Sequence, residues 1–302
     1  MLVTGGCGFI ASNFINNLKD VSIINIDKMT YCSNIQNIKN PRCETIVADI
    51  TNRELLEYLI KKYNFKTVFH FAAQSHVDNS FIDPLSFTVN NVTGTHVLID
   101  SFRIHNTGVE FIHFSTDEVY GENTSKSGFT EETILNPTNP YAASKAAAEM
   151  IVQSYVKSFN MNIKIIRCNN VYGPNQYPEK LIPKFIKILK YGGKCTIHGK
   201  GSVKRSFIHV DDVCSAVITI WKKAPPSEVY NISSDYEYSV MDITKLLIKH
   251  ITGKEQYDDY ITYVEDRPFN DESYLSDCSK LKNLGWIQTK SSDSLIDFVL
   301  KA

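Results

Sequence analysis

The first eleven residues carry the feature that most restricts the fold of this chain. A short apolar strand, Leu2–Thr4, runs directly into a glycine-rich turn at Gly5 and Gly8 and then into a helix. Such glycines let the backbone turn tightly and approach a pyrophosphate, while the helix N-terminus offers free N–H groups and a positive dipole end. Ala11 stands where a third glycine is common. Taken alone, the pattern also fits an ordinary strand-to-helix turn.

A carboxylate at a suitable distance strengthens the prediction of a dinucleotide site. Asp27 ends the second predicted strand, 19 residues after Gly8. There it can bind both ribose hydroxyls of NAD and repel the 2′-phosphate of NADP, although Lys28 weakens that distinction. Asp49 and Ile50 follow the third strand and could contact the adenine edge, but Asp49 fits a helix cap equally well.

Short apolar runs alternate with helical patterns through the first half of the chain, which predicts βαβ units around a parallel sheet. The predicted strands are Met1–Thr4, Ser22–Ile26, Glu44–Val47, Thr67–Phe71, Glu110–Ser115 and Asn162–Arg167. We therefore predict an α/β fold, with a Rossmann-type doubly wound parallel sheet and a smaller C-terminal α+β domain. Residues 1–172 form the NAD-binding domain, to which residues 206–232 return, and residues 173–302 mainly bind substrate.

The composition argues against several other classes of function. A formal net charge of −1 provides no positive field for nucleic acid or an anionic membrane, and no window is long and apolar enough to span a bilayer. The sequence contains no HExxH motif, so it gives no support for metal catalysis. The seven cysteines form no CxxC pair, and the motif glycines near Met1 leave no room for a signal peptide. We expect reduced thiols and a cytoplasmic protein.

A tyrosine and a lysine share one face of the clearest predicted helix, Pro140–Phe159. Asn139 can cap this helix, and Pro140 suits its first turn. Tyr141 and Lys145 are four residues apart, so the ammonium group can favour the phenolate and lower its pKa from about 10. The pair could then remove a hydroxyl proton while a hydride leaves the same carbon. A YxxxK match by itself usually marks only a helix surface.

Two adjacent acids follow the predicted strand Glu110–Ser115. In open α/β sheets, ligands bind at the carboxyl ends of the strands. Asp117 and Glu118 could divide acid and base roles if their surroundings separate their pKa values. Thr116 could donate a hydrogen bond to the same substrate hydroxyl from which Tyr141 removes the proton. Without the other motifs, these acids would be interpreted as a solvated turn.

Together, these motifs resemble the extended short-chain dehydrogenase/reductase family, and Thr116-Asp117-Glu118 resembles its nucleotide-sugar 4,6-dehydratases. Further segments similar to that group are Asp27–Tyr31, His70–Asp78, Tyr172–Pro174, Pro178–Pro183 and Asp266–Pro268. The resemblance runs from residue 1 to about residue 290.

The resemblance implies a division of roles among the catalytic residues. Tyr141 takes the proton of the sugar 4-hydroxyl, with Lys145 and Thr116 assisting, while the C4 hydride passes to NAD. Glu118 then removes the C5 proton, and Asp117 protonates the departing 6-hydroxyl. The hydride returns to C6, so NAD is regenerated in each turnover.

The resemblance also implies binding residues. The cofactor would be lined by Gly5, Gly8, Phe9, Ile10, Asp27, Lys28, Asp49, Ile50, Phe71, Ala72, Ala73, Tyr141 and Lys145. The nucleotide sugar would be held by Ser75, Thr116, Asn170, Glu179, Lys180, Arg205, Asn231 and Arg267. A guanidinium group such as that of Arg205 can bind two diphosphate oxygens at once. The family is usually dimeric, through helices like Leu85–Phe102 and Pro140–Phe159.

The substrate and the reaction leave alternatives open. Gln74, the run Tyr31–Asn34 and Asn175-Gln176 look more like eukaryotic UDP-glucose 4,6-dehydratases, which begin UDP-rhamnose synthesis, than like bacterial dTDP-glucose enzymes. A nucleotide-sugar 4-epimerase or decarboxylase would share the glycine turn, the tyrosine and the lysine, but would usually lack the paired acids. A non-catalytic NAD-binding protein would share the fold alone.

Overall fold

The protein is described by a computed structural model that covers residues 1–124, 127–265, 273–291 and 293–301. Its strands are β1 (Leu2–Thr4), β2 (Ile23–Asp27), β3 (Cys43–Val47), β4 (Thr67–His70), β5 (Glu110–Thr116), β6 (Ile163–Cys168), β7 (Asn170–Tyr172), β8 (Cys195–His198), β9 (Lys204–His209), β10 (Val229–Ile232), β11 (Glu237–Ser239) and β12 (Ile261–Val264).

The helices alternate with these strands through the first half of the chain. They are α1 (Phe9–Asn17), α2 (Arg53–Tyr63), α3 (Val77–Ile82), α4 (Pro84–Phe87), α5 (Gly94–His105), α6 (Pro140–Phe159), α7 (Leu181–Lys190), α8 (Val210–Lys223), α9 (Val240–Thr252), α10 (Ser279–Asn283) and α11 (Asp293–Lys301).

Seven parallel strands form the main sheet, in the order β3-β2-β1-β4-β5-β6-β10. The six strands predicted from the sequence are all present, with small changes at their ends. The order reverses between β1 and β4, which is the topological switch point where doubly wound sheets bind ligands. The predicted Rossmann-type parallel sheet is therefore confirmed.

Two hydrophobic clusters cover the two faces of this sheet. Phe14 of α1 and Val217 of α8 belong to one cluster, and Leu59 of α2, Phe102 of α5 and Val152 of α6 belong to the other. Strands buried on both faces explain the continuously apolar strand sequences. The loops at the carboxyl edge of the sheet are thus attached to strands that are packed on both faces.

The remaining strands form two small sheets beside the main one. In the first, β9 pairs antiparallel with β11 and parallel with β7; in the second, β8 pairs parallel with β12. A third hydrophobic cluster joins them to helices α7, α9 and α11. Helix α8 and strand β10 instead pack with the main sheet.

The helix predicted over Leu85–Phe102 is longer than expected and changes form along its length. Helix α4 continues into a π-helical segment, Thr88–Thr93, and then into α5. The π-helical segment carries Asn91 inward, where its side chain accepts a hydrogen bond from the backbone N–H of Gln74 and donates to the carbonyl of Gln74. This side chain therefore holds a strand-end loop in place.

Helix α6 begins and ends at the predicted residues. The Asn139 side chain accepts a hydrogen bond from the backbone N–H of Ala142, and Asn160 closes the helix in the left-handed conformation with φ 53°. Its Glu149 side chain is fully buried and pairs with Arg167 of β6, with 2.8 Å between Nη2 and Oε2. Arg167 also donates to the Tyr120 hydroxyl at 2.9 Å.

Glu149→Ala should destabilise the protein strongly, because it leaves the Arg167 charge buried without its partner. We expect a loss of about 3–5 kcal/mol in the free energy of unfolding, measured by urea denaturation. The matched control is Glu255→Ala, which removes one partner of the exposed ion pair with Lys249. A loss no larger than that of the control would contradict the structural importance of the buried pair.

Candidate active site

A cavity of about 420 Å³ opens at the carboxyl edge of the main sheet. It extends from the glycine turn after β1 to the loop between β7 and α7. The sequence-predicted residues that line it are Gly5, Gly8, Phe9, Ile10, Asp27, Lys28, Asp49, Ile50, Phe71, Ala72, Ala73, Ser75, Thr116, Asp117, Glu118, Tyr141, Lys145, Asn170, Glu179 and Lys180. The fold therefore brings together most residues that the sequence singled out.

The glycine turn requires the absence of side chains. Gly5 has φ +73°, and a Cβ atom there would lie 2.7 Å from the Cα of Ala72. Its backbone N–H donates to Ile26 O at 2.8 Å, which ties the turn to β2. Gly8 precedes α1 and provides no side chain to cap it. The N-terminal amide groups of α1 therefore face a narrow, preformed turn, which suits a pyrophosphate.

Asp27 has a further role that the sequence did not reveal. Its side chain accepts hydrogen bonds from the backbone N–H of Cys7 at 2.9 Å, from the backbone N–H of Met29 at 2.8 Å and from the Ser33 hydroxyl at 3.0 Å. The carboxylate therefore fixes the glycine turn and the loop after β2. Because carboxylate oxygens have several acceptor sites, this role is compatible with binding ribose.

Lys28 is held by neighbouring side chains. Its ammonium group donates to Asp49 at 2.9 Å and to Asn90 at 2.7 Å. The salt bridge with Asp49 balances the charge that made the cofactor preference ambiguous in the sequence. The arrangement at this end of the cavity favours a dinucleotide without a 2′-phosphate.

The paired acids lie on a 3₁₀ turn, Asp117–Tyr120, directly after β5. An asparagine contacts each of them: Asn169 donates to Asp117 Oδ2 at 2.5 Å, and Asn139 donates to Glu118 Oε2 at 3.0 Å. The Thr116 hydroxyl donates to Asp117 Oδ1 at 3.1 Å. The acids are thus part of a connected network rather than a solvated turn.

The surroundings of Asp117 favour its protonated form. Burial, reinforced by the neighbouring Glu118, raises the pKa of Asp117 to about 7. Hydrogen bonds from Asn169 and Thr116 oppose that rise. A carboxyl group with such a pKa can carry a proton near neutral pH and donate it, as a general acid must.

The tyrosine and lysine share the cavity, but the expected lowering of the tyrosine pKa is not observed. Burial, followed by the charge of Glu118, raises the pKa of Tyr141, and a hydrogen bond with Thr116 opposes this rise. The ammonium group of Lys145 donates to the carbonyl oxygen of Phe114 at 2.7 Å. Burial lowers the pKa of Lys145 to about 8.

A polar cluster crosses the opening of the cavity between the two parts of the fold. Lys180 donates to the carbonyl oxygen of Ser75 at 2.7 Å. The Tyr31 hydroxyl donates to Glu179 Oε1 at 3.0 Å and accepts from Asn79 at 3.1 Å. These contacts place Glu179 and Lys180 opposite the loops of the main sheet.

Two predicted substrate residues within the described ranges, Asn231 and Arg205, do not line the cavity. Asn231 is buried, accepts from the Tyr120 hydroxyl at 2.7 Å and donates to two backbone carbonyls. Arg205 stacks over the Tyr274 ring at 4.6 Å, and its charge also opposes the burial-driven rise of the Asp117 pKa. Arg267, within the motif Asp266–Pro268, lies outside the described residues.

Sequence reasoning missed the contacts that two asparagines make with the acids. Asn139 was predicted only as a helix cap, yet it also donates to Glu118. Asn169 was not singled out, although it follows β6, the strand beside β5 in the sheet. Its position at a strand end beside the predicted acids was the available signal, since such ends meet at the binding edge.

Within the described ranges, no group of three or more His, Cys, Asp or Glu side chains could hold a metal ion. Among the same residues, no helix is long and apolar enough to cross a membrane. All seven cysteines, each in the described part of the chain, are free thiols.

The family model described as GDP-mannose 4,6 dehydratase matches residues 2–298, nearly the whole chain. The chain belongs to this family. The match covers both the main sheet and the smaller C-terminal part. It thereby confirms the family resemblance that was inferred from the sequence motifs.

Individual relatives of this family agree with that assignment. A dTDP-D-glucose 4,6-dehydratase of Bos taurus is 44% identical over 298 residues, covering 95% of this chain and 83% of the relative. A trifunctional UDP-glucose 4,6-dehydratase, epimerase and reductase of Arabidopsis thaliana is also 44% identical, over 95% of this chain and 45% of the relative. The crystal structure of a dTDP-glucose 4,6-dehydratase from Streptomyces venezuelae, with NAD bound, superposes with a TM-score of 0.93 at 33% identity, covering 99% of this chain and 95% of that one.

Asp117→Asn should stabilise the protein more at pH 8 than at pH 5. The pKa of Asp117 is about 7 when folded, above its ordinary value of 3.8. As the pH rises, the unfolded chain therefore releases this proton before the folded protein does. The contribution of Asp117 to the stability of the wild type falls between about pH 4 and pH 7. Urea denaturation should show the relative stability of the variant rising by about 2–3 kcal/mol from pH 5 to pH 8. A difference independent of pH would contradict the raised pKa.

Proposed function

We propose that this chain is an NAD-dependent hydro-lyase, a nucleotide-sugar 4,6-dehydratase that converts UDP-glucose or dTDP-glucose into its 4-keto-6-deoxy sugar. The observation that carries the proposal is the position of Asp117 and Glu118 in the same cavity as Tyr141 and Lys145. A 4-epimerase or decarboxylase needs the tyrosine and lysine, but it has no water to eliminate and no use for the acid pair.

The residues at the β1–β2 end of the cavity fit NAD. The glycine turn would accept the pyrophosphate, Asp27 the ribose hydroxyls, and Asp49 with Ile50 the adenine edge. Bound there, NAD would supply a hydride acceptor for the oxidation at C4 and a hydride donor for the reduction at C6. Ala72, Ala73 and Lys145 line the cavity between this end and the acids.

Tyr141 is the proposed base for the sugar 4-hydroxyl. A neutral phenol must first lose its proton, and nearby positive charge favours that loss. Lys145, one helical turn away, carries such charge, and an oxidised nicotinamide ring bound in the cavity would add to it. Thr116, which hydrogen-bonds with Tyr141, would hold the hydroxyl during the proton transfer.

The paired acids are proposed to eliminate water once C4 is a ketone. The ketone acidifies the hydrogen at C5, and Glu118 removes it. Asp117 gives its proton to the departing 6-hydroxyl. This assignment is supported by the raised pKa of Asp117, about 7 through burial, because an acid must hold its proton until it is needed.

We propose that residues 1–172 form the NAD-binding part of the fold, to which residues 206–232 return. The substrate is proposed to lie against the rest of residues 173–302. The binding residues proposed are Ser75, Asn170, Glu179, Lys180, Arg205 and Arg267. Gln74 and Gln176 line the same cavity; by their resemblance to eukaryotic enzymes they favour UDP-glucose and a place early in rhamnose or deoxysugar synthesis.

We further propose that the chain works in the cytoplasm as a homodimer. Free thiols are consistent with that compartment. Exposed apolar side chains on the helices expected at the interface, Leu85 at 76%, Val89 at 52% and Met150 at 50%, support the dimer. A monomeric mass in sedimentation equilibrium would contradict it.

The direct test of the function is incubation of the purified protein with UDP-glucose and, separately, with dTDP-glucose. Mass spectrometry should show loss of one water without net consumption of NAD, and the faster substrate identifies the preferred base. Conversion without a change of mass would indicate an epimerase. A stable NAD complex that transforms neither sugar would favour a non-catalytic protein.

Glu118→Gln should stop the reaction after the first hydride transfer. Glutamine keeps the size of the side chain and an oxygen that can accept from Asn139, but it cannot remove the C5 proton. Mixing the variant with substrate should produce the absorbance of reduced cofactor, while water loss slows by about 10²–10⁴-fold. Normal turnover would show that Glu118 is not the base.

The matched variant for that experiment is Tyr141→Phe, which removes only the phenolic hydroxyl. It should fail before hydride transfer, so substrate should produce no absorbance of reduced cofactor. The two variants therefore separate the first step from the second. Reduced cofactor in Tyr141→Phe would disprove the role of the tyrosine.

A further inference from the structure

Asn169 contacts the proposed acid from inside the protein. The residue is only 4% exposed and lies at the end of β6, beside the turn that carries Asp117. Its amide nitrogen lies 2.5 Å from Asp117 Oδ2 and 3.4 Å from the carbonyl oxygen of Tyr274. Its amide oxygen is buried and has no partner among the residues that the structure describes.

These contacts determine which way the amide points. With the nitrogen toward Asp117, its two hydrogens meet two oxygen atoms. The reverse orientation would place the amide oxygen against the carbonyl oxygen of Tyr274, which cannot donate, and would leave the nitrogen buried without an acceptor. The Asn169 side chain therefore acts as a donor through its nitrogen, while its amide oxygen stays buried without a hydrogen-bond partner among the described residues.

We propose that Asn169 is a positioning residue for dehydration, which holds Asp117 Oδ2 as an acceptor and so directs the acid proton to Oδ1. An oxygen that carries the proton accepts hydrogen bonds poorly, so a donor held against Oδ2 favours protonation of the other oxygen. Oδ1 lies 3.1 Å from the Thr116 hydroxyl, which donates to the carboxylate but can rotate to accept from the protonated acid, whereas the Asn169 nitrogen can only donate. The proton is thereby kept on the side of Thr116 and Tyr141, where the sugar is proposed to react.

The role rests on the proposed dehydratase function and extends it to a residue outside the recognised motifs. No bond beyond those of that reaction is formed: the Oδ1 proton goes to the leaving hydroxyl, and Asn169 stays hydrogen-bonded to the resulting carboxylate. The other groups that act electrostatically with Asp117 are Glu118 on its own turn, Tyr141 on α6, Cys168 on β6 and Arg205 on β9.

The test compares Asn169→Ala with wild type in the NAD-loaded enzyme. Dehydration requires protonated Asp117, so its rate falls as the pH rises through the Asp117 pKa. Loss of the Asn169 donor, which stabilises the carboxylate, raises that pKa, and the descending limb of the kcat profile should move up by about one pH unit. The rate at the optimum should fall about 10- to 100-fold, and reduced cofactor should accumulate because the first step does not use Asp117.

Asn123→Ala is the matched control. Asn123 is also a buried asparagine, and its amide donates to the carbonyls of Ser127 and Leu275, the second of which adjoins Tyr274. The variant removes comparable hydrogen bonds from the same part of the fold without touching the acid. It should lose stability but keep the wild-type pH limb and show no accumulation of reduced cofactor.

A second measurement separates failure of this inference from failure of the proposed function. Infrared difference spectra against Asp117→Asn identify the band of the protonated Asp117 carboxyl, whose titration does not depend on turnover. Its midpoint should be higher in Asn169→Ala than in wild type. An unchanged midpoint, or a rate loss with an unmoved pH limb like that of the control, would overturn the positioning role. A wild-type enzyme that eliminates no water would refute the dehydratase instead.

Discussion

The carboxyl pair at the end of β5, of which Asp117 is buried and Glu118 partly exposed, is the interaction on which the rest of the site depends. Two adjacent carboxylates repel each other, and burial adds a further cost to the charged form of Asp117. The fold gives the two acids different environments. Asp117 is almost completely buried, and a different asparagine donates a hydrogen bond to each acid. The proposed acid and base roles rest on that difference in environment, since the two side chains have the same functional group.

The same arrangement links helix α6 to the acids. Asn139 caps the helix with its side-chain oxygen and donates to Glu118 with its nitrogen. The residue that begins the helix thus also sets the distance between Glu118 and the tyrosine-lysine face. Below them, the buried Glu149–Arg167 pair and the Tyr120 hydroxyl fix the other end of the turn. The turn is therefore supported by elements distant in sequence, and we expect its geometry to be rigid.

Much of this could be predicted from local sequence patterns. The ends of α6 followed from its asparagine cap and alanine-rich body, and the parallel strands from their continuous apolar runs. What could not be predicted depends on contacts between distant residues. Asn231 looked like a substrate ligand, but the structure engages its amide with Tyr120 and backbone carbonyls. The spacing of Tyr141 and Lys145 suggested a lowered tyrosine pKa, whereas burial and the Glu118 charge raise it.

In the proposed reaction, hydrogen moves from C4 to C6 within one active site while water is lost. This transfer is tested most directly with nucleotide glucose that carries deuterium at C4. We expect a product lighter by one water, with the deuterium retained and located at C6 by NMR. Deuterium that stays at C4 in a product of unchanged mass, or that is lost to the solvent, would contradict the account.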